Sequence, residues 1–413
     1  MQSEGTPDSG YSWLVAAITL LVASVSFGAV TSIPILLKPM TADLGWSRSA
    51  VSFGHTLAMF GAAVGSLFLG RWLDRYGFFR IALVGALATG LGLVAASAAT
   101  RMWQLYCAYG LLVGGLGQAA FFGPLAAAVS MWFERHRALA ISIATSGQSV
   151  GGLVVPLVLR SGAEEFGWRQ VLQMYGVFAA LTLTVCALVF LRDPPLRRAS
   201  SAAIAANAAV SPEDSLIRKR DFIFLAIGLA LSNFANFVVM GHVTAFGEES
   251  GLSPTNAAGI LSVLLGTTLI SRFSWGYFAI HFGEYRMLVT ASWLQVLGVA
   301  IIAGQSSHVW ILIAAAVIGL SFGAYLPGYA VMVRDMFPAE QAGRRITEIY
   351  FFGFIAAGLG TWSGGLVHDH FGGYRLAFLC ALVGSALAPW VLFLRRSSLR
   401  RLGSSESGCS VRS

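Results

Sequence analysis

One arginine in this chain stands where a charge is costly. Arg272 lies in Gly266-Thr267-Thr268-Leu269-Ile270-Ser271-Arg272-Phe273-Ser274-Trp275, just past the middle of an apolar run near 255–279. A guanidinium at the bilayer centre costs about 2.5–3.5 kcal/mol by insertion scales, so it must face a wet cavity or a counter-ion. No acidic residue falls within a run near that depth; Glu348, near one end of the run at 346–367, is the intramembrane candidate. A planar fork of five donors without an internal partner suits an incoming carboxylate, held at two points. The competing reading is a structural pair with Glu348 or with helix carbonyls. Lys38 ends the first run, after Ser32-Ile33-Pro34-Ile35-Leu36-Leu37, and is read two ways. It is a snorkelling lysine at a helix end, or a group that attracts anions or carries a proton when burial lowers its pKa.

Tyr350 and Asn236 are polar groups inside runs and are assigned with Arg272 and Lys38 to the substrate site. Asn233 and Asn236 share one helical face with Met240. Interhelical hydrogen bonding is the plainer role for each such residue, as it is for His55, Gln118, Gln148, Tyr325 and Tyr329. His242, near the outer end of its run, is either interfacial or proton-responsive, and is assigned to coupling.

What positions these residues is a set of membrane helices. The chain is 56% hydrophobic and 11% charged, with a mean hydropathy of +0.72. Soluble domains carry about 25% charged residues. In lipid every backbone polar group must be paired internally, which leaves helices or closed barrels. Runs of about 20 apolar residues match helices crossing roughly 30 Å of hydrocarbon; barrel strands would alternate over about ten. The net charge of +8 is scattered through short loops and not gathered on one face, which argues against nucleic acid. Cys107, Cys186 and Cys380 lie in runs and Cys409 in the tail, without ligand spacing, so no metal or disulfide framework is inferred. Met1 to Gly10 has no basic n-region, and the first run reads as retained. No phosphate loop or nucleophile motif appears, so no cofactor and no enzymatic activity are expected.

Twelve runs can be drawn, near 11–37, 49–69, 80–99, 103–131, 138–159, 170–191, 222–246, 255–279, 287–304, 309–333, 346–367 and 374–394. The first half recurs in the second at an offset of 206 residues: Gly45 and Ser47 as Gly251 and Ser253, Gly70, Gly77 and Arg80 as Gly276, Gly283 and Arg286, Gly167-Trp168-Arg169 as Gly373-Tyr374-Arg375. The fold class is therefore all-α and polytopic. Two pseudo-symmetric six-helix bundles (1–191 and 222–394) are joined by a linker (192–221) and followed by a tail (395–413). In transporters built this way substrate binds between the halves. Most of the 27 Lys and Arg residues lie in the linker, the tail and the loops on their side; the other side holds Lys38, Arg48, Arg101, Arg160, Arg169 and Arg375. The positive-inside bias places both termini in the cytoplasm.

Gly70-Arg71-Trp72-Leu73-Asp74-Arg75-Tyr76-Gly77-Phe78-Phe79-Arg80 resembles the loop signature of the major facilitator superfamily. The resemblance implies that Asp74 and Arg75 belong to a cytoplasmic gate. The second-half counterpart has Ile280 and His281 there, so only the first loop should carry a charged latch. Trp132-Phe133-Glu134-Arg135-His136-Arg137-Ala138-Leu139-Ala140, continuing through Ser142, Ser146 and Gly147 to Gly151, resembles the fifth-span signature of the monocarboxylate transporter family. Asp8-Ser9-Gly10-Tyr11-Ser12-Trp13 is similar to that family's first-span signature, more loosely. This resemblance implies a substrate-binding role for Arg272 and a functional one for Lys38. Mammalian members carry an aspartate one turn before that arginine; this chain has Thr268, which departs from proton symport through such a pair.

The function expected is a secondary transporter moving a small monocarboxylate, lactate- or pyruvate-like, by alternating access, coupled to protons or to anion exchange. The expected setting is a bacterial-type inner membrane, with the bilayer and a small organic anion as partners and the chain a monomer. The alternatives are an oxalate/formate-type exchanger and an efflux pump of the same superfamily. The former adds a lysine in span eleven, and none occurs between Ile346 and Val367.

Overall fold

The computed structural model describes residues 7–192, 194, 212–305, 307–337 and 339–409, all helices and short turns. We number the helices α1 (Gly10–Leu44), α2 (Arg48–Tyr76), α3 (Phe78–Ser97), α4 (Met102–Leu125), α5 (137–166), α6 (168–187), α7 (Pro212–Glu249), α8 (Pro254–Phe282), α9 (Glu284–Gly304), α10 (His308–Met336), α11 (Ala339–Phe371) and α12 (Arg375–Cys409). Eleven continuous helices among the described residues are long and apolar enough to span a membrane. One of them, Ile143–Leu191, has 49 residues. At 1.5 Å per residue that is roughly 70 Å, twice a hydrocarbon core. It is two spans, because Gly167 breaks it at φ 80°. The twelve runs of the sequence are thus twelve crossings.

The repeated residues are turn chemistry. Gly45 and Gly251 have φ of 66° and 89°, Gly77 and Gly283 of 76° and 83°, a region L side chains rarely enter. In the third pair Gly167 is left-handed, and in the second half that role falls to Gly372, next to the repeated Gly373. Ser47 and Ser253 both cap the helix that follows, accepting from the amides of Ala50 (3.2 Å) and Asn256 (3.3 Å). Helix α7 begins at Pro212, inside the stretch read as linker, and α12 continues past its span to Cys409. Residues 193 and 195–211 of that linker lie outside the described residues.

Within the first bundle, the two segments resembling family signatures hold each other. Asp8 accepts from the amides of Glu134 (3.1 Å), Arg135 (3.0 Å) and His136 (3.2 Å) and from the His136 ring (3.1 Å). Tyr11 and Trp13 pack on Trp132 and Phe133, with centroids 5.2 and 5.0 Å apart. The start of α1 is in effect an N-cap for α5. Further along α5, a methyl on Gly147 would strike the Leu20 carbonyl of α1, and one on Gly151 the Ser24 carbonyl. Small residues here set the distance between helices. The glycines of α4 do the same against α2: Gly110 and Gly115 carbonyls occupy the space a methyl on Gly61 or Gly65 would need. Residues 108–118 of α4 are wound as a π-helix ending at Gln118, which faces the space between the bundles.

Gly151→Ala should destabilise the protein by about 1–3 kcal/mol, the usual cost of overpacking, read as a lower melting temperature in detergent. Amide donors, chiefly that of Arg135, hold the Asp8 carboxyl at about 2, against an ordinary 3.8. A depressed carboxylate stabilises the fold above its unfolded pKa and loses that contribution as pH falls through the folded one. Asp8→Ala should therefore lower the melting temperature at pH 7, with the gap from wild type closing as pH drops from about 4 toward about 2.

Candidate substrate site between the bundles

Two helix pairs close the bundles on each other, α2 with α11 and α5 with α8. The 206-residue offset maps one pair onto the other, so they are symmetry copies. In the first, the Thr56 hydroxyl donates to the Gly358 carbonyl at 2.6 Å, and Gly365 lies against Ser49 and Ser52. In the second, Gly152 lies against Leu265 and Gly266 against Leu153. Between the pairs is a cavity of about 40 Å³ whose aromatic lining is Phe27 and Phe122 of the first bundle and Phe237, Phe322, Tyr350 and Phe354 of the second. Its polar groups are Gln118, Gln148, Asn233 and the Tyr350 hydroxyl, which donates to the Leu326 carbonyl at 2.7 Å.

Arg272 reaches from α8 across the second seam. One terminal nitrogen donates to the Thr145 carbonyl, and the other to Gln148 Oε1 at 3.4 Å. Its Nε is buried with no acceptor. No carboxylate among the described residues is within ion-pairing distance of it; Glu348 is held by Arg345 at 2.7 Å. Gln148 and Tyr350, both cavity residues, are its neighbours, by hydrogen bond and by electrostatic interaction respectively. The guanidinium is thus held by neutral acceptors beside two cavity residues, and its bond to the Thr145 carbonyl is the helix-carbonyl contact of the competing reading. A carboxylate would add an opposite charge and a two-point geometry that these acceptors lack. Thr268, one turn earlier, is satisfied by the carbonyls of Leu264 (2.8 Å) and Gly319 (3.1 Å) and contributes no charge.

The other expected site residues do not all gather there. Tyr350 does. Asn236 is fully buried with neither amide atom partnered, while its neighbours Asn233 and Phe237 line the cavity. His242 is fully buried, not interfacial; its Nε2 bonds the Thr361 carbonyl at 2.7 Å and its ring lies 5.0 Å from that of Tyr374. His55 stacks on Phe237 across the interface at 6.0 Å, with no partner for either nitrogen. The side chains of Asp74 and Arg75 lie outside the described residues.

Lys38 belongs to a separate cluster at the face away from the termini. It pairs with Glu248 at 3.1 Å, and Arg160 pairs with the same carboxylate. Arg48 pairs with Glu249 at 2.6 Å and donates to the Tyr374 hydroxyl at 2.5 Å, and His368 reaches Glu249 at 3.0 Å. Asp369 accepts from the amides of Arg48 (3.0 Å) and Ser49 (2.8 Å) at the start of α2. In this seal the first bundle supplies the cations and an exposed helix N-terminus, and the second supplies the carboxylates. The sequence reading passed over Glu248, Glu249 and Asp369. The signal was present: basic residues on the sparsely charged side of a membrane protein need partners on that same side.

Comparison with known proteins agrees with this architecture. The family model described as Major Facilitator Superfamily matches residues 18–278 and 260–408. The chain belongs to the major facilitator superfamily. Human monocarboxylate transporter 11 is 30% identical over 344 residues, covering 79% of this chain and 70% of that protein. The MFS transporter asaE of Aspergillus flavus is 25% identical over 360 residues, covering 86% and 79%. Among solved structures, a bacterial homologue of the human lysosomal transporter Spinster, inward-facing and unoccupied, superposes with a TM-score of 0.73 at 16% identity, covering 94% of this chain and 97% of that one. A point mutant of the nucleoside transporter NupG gives 0.71 at 16% identity, covering 92% and 99%. This major facilitator protein is thus a multi-span membrane transporter of small molecules and not an enzyme.

The seal gives a test independent of substrate. Asp369→Ala removes the carboxylate from two solvent-exposed α2 amides, which water then meets, a net loss of about 1.4 kcal/mol. On a cysteine-free background, a Ser52→Cys probe, only 1% exposed, should then react about tenfold faster with an impermeant thiol reagent. The reagent is added from the sealed face, and labelling is followed by mass shift.

Proposed function

We propose that the chain moves a small monocarboxylate across its membrane by alternating access, with Arg272 as the group that binds the carboxylate. The observation that carries this reading is a part-buried guanidinium beside two cavity residues, held by a carbonyl and a carboxamide, with its buried Nε idle. A carboxylate offers it a better pair of acceptors than it now has. One such cation balances one negative charge, which favours a monoanion over an oxalate-like dianion. The likeness to a monocarboxylate transporter supports the same substrate class.

Two further parts belong to this reading. The bias of Lys and Arg toward the side of the termini supports cytoplasmic termini, which makes the sealed face the outer one. Thr268 puts no carboxylate in the turn before Arg272, which favours exchange of one anion for another over proton symport through an arginine–carboxylate pair. In proteoliposomes, Arg272→Ala should cut uptake of its monocarboxylate about 100-fold in kcat/KM, near 3 kcal/mol. Arg272→Lys should be intermediate, since an ammonium cannot make the two-point contact. Uptake by Arg272→Ala equal to wild type would remove the arginine from the site. Exchange predicts stimulation by a monocarboxylate trapped inside and little response to an imposed pH gradient.

A further inference from the structure

At the sealed face both halves of the chain carry an acid, an aromatic ring and an arginine at repeated positions, and the two halves use them differently. In the first bundle Asp43 lies near the end of α1, and Trp168 and Arg169 begin α6. Asp43 accepts from the Trp168 indole and from Arg169 Nε, each at 3.1 Å, and the Arg169 guanidinium lies 4.5 Å from the Trp168 ring centre. The carbonyls of Ser97 (2.8 Å) and Ala99 (3.0 Å) hold Arg169 further, so the whole arrangement stays within one bundle.

The 206-residue offset carries Asp43 to Glu249, Trp168 to Tyr374 and Arg169 to Arg375. In the second bundle the acid and the ring are in place, but the guanidinium over the ring comes from the other bundle. Arg48 pairs with Glu249 at 2.6 Å, lies 5.2 Å from the Tyr374 ring centre and donates to its hydroxyl. Arg375 is exposed and makes no hydrogen bond or ion pair among the described residues. His368, the other partner of Glu249 at 3.0 Å, stands on α11 of the second bundle and moves with it. Arg48 therefore occupies the place that symmetry reserves for Arg375.

We propose that Arg375 is the partner of Glu249 when this face is open. As the bundles part, Arg48 leaves with the first bundle. Arg375 then moves onto Glu249 and the Tyr374 ring, completing in the second bundle what Asp43, Trp168 and Arg169 keep permanently in the first. This rests on the alternating-access part of the proposed function and not on the identity of the anion. Arg169 shows that an arginine directly after the aromatic residue reaches both its neighbour's ring and the carboxylate. Taking one partner from an ion pair strands a charge, whereas exchanging one guanidinium for another leaves Glu249 paired on both sides of the transition. The two arginines compete for one site, so the seal and the open state exclude each other.

The test reads opening of this face with Ser52→Cys on the cysteine-free background, labelled from that face by an impermeant thiol reagent. Arg48→Gln removes the sealed-state partner and should speed labelling by about tenfold. Arg375→Gln removes the open-state partner and should slow it by about threefold to fivefold, the range an exposed charge pair supports. Arg375 is unpaired in the sealed state, so its loss leaves the contacts of that state intact. In a Glu249→Gln background, Arg375→Gln should have no further effect. A rate unchanged or raised by Arg375→Gln would overturn the proposal. So would an equal slowing in the Glu249→Gln background, because the arginine would then act on some other group. A Ser52→Cys protein that is never labelled defeats alternating access and this inference together; labelling that Arg375→Gln does not slow defeats this inference alone.

Discussion

A charge that cannot leave the membrane must be given something to bind, and the rest of this molecule is arranged around that requirement. Arg272 is fixed on α8, on a helix wedged against α5 by glycine contacts on both sides. It borrows the Thr145 carbonyl and the Gln148 carboxamide, groups that already belong to another helix. Neutral acceptors of this kind keep the empty site tolerable without satisfying it. A resident carboxylate would have stabilised the fold more and left nothing for a ligand to gain. On the proposed reading, the unmet donor is what a ligand would satisfy.

The symmetry of the chain explains where that charge stands. The seam of α2 with α11 and the seam of α5 with α8 are copies, yet the position of Arg272 corresponds to Ser66 in the first half, whose hydroxyl merely turns back to the Ala63 carbonyl. Gln148 corresponds to Phe354, an apolar wall of the cavity. Duplication supplied two equivalent seams, and polar chemistry was placed in one. The other seam keeps a hydroxyl–carbonyl contact at Thr56 and the capping of α2 by Asp369, both features of closure.

Much of this was legible in the sequence because the lipid environment leaves few choices. Helices of fixed length follow from hydrocarbon thickness, so the crossings could be drawn from hydropathy, and the repeated glycines marked turns that require positive φ. The place of Arg272 within a span was legible for the same reason, and so was the competing reading of a helix-carbonyl contact, which is the bond it makes to Thr145. Glu248, Glu249 and Asp369 were not, because carboxylates at span ends look like ordinary surface residues until the fold brings helices of both bundles together. Nor did the sequence reveal that Asp8 caps the segment before α5, a contact between residues 127 positions apart. His242 shows the limit of periodicity: its place near a span end suggested an interface, but packing against Tyr374 and Thr361 buries it.

The central claim is that a carboxylate replaces neutral acceptors on Arg272. Thermal unfolding of the purified protein in detergent, with and without millimolar short-chain monocarboxylates, tests it without reference to transport, because a ligand of the folded state raises apparent stability. The account predicts a concentration-dependent rise in melting temperature for at least one such acid with wild type, and none with Arg272→Gln at the same concentrations. An equal rise in both proteins would contradict it.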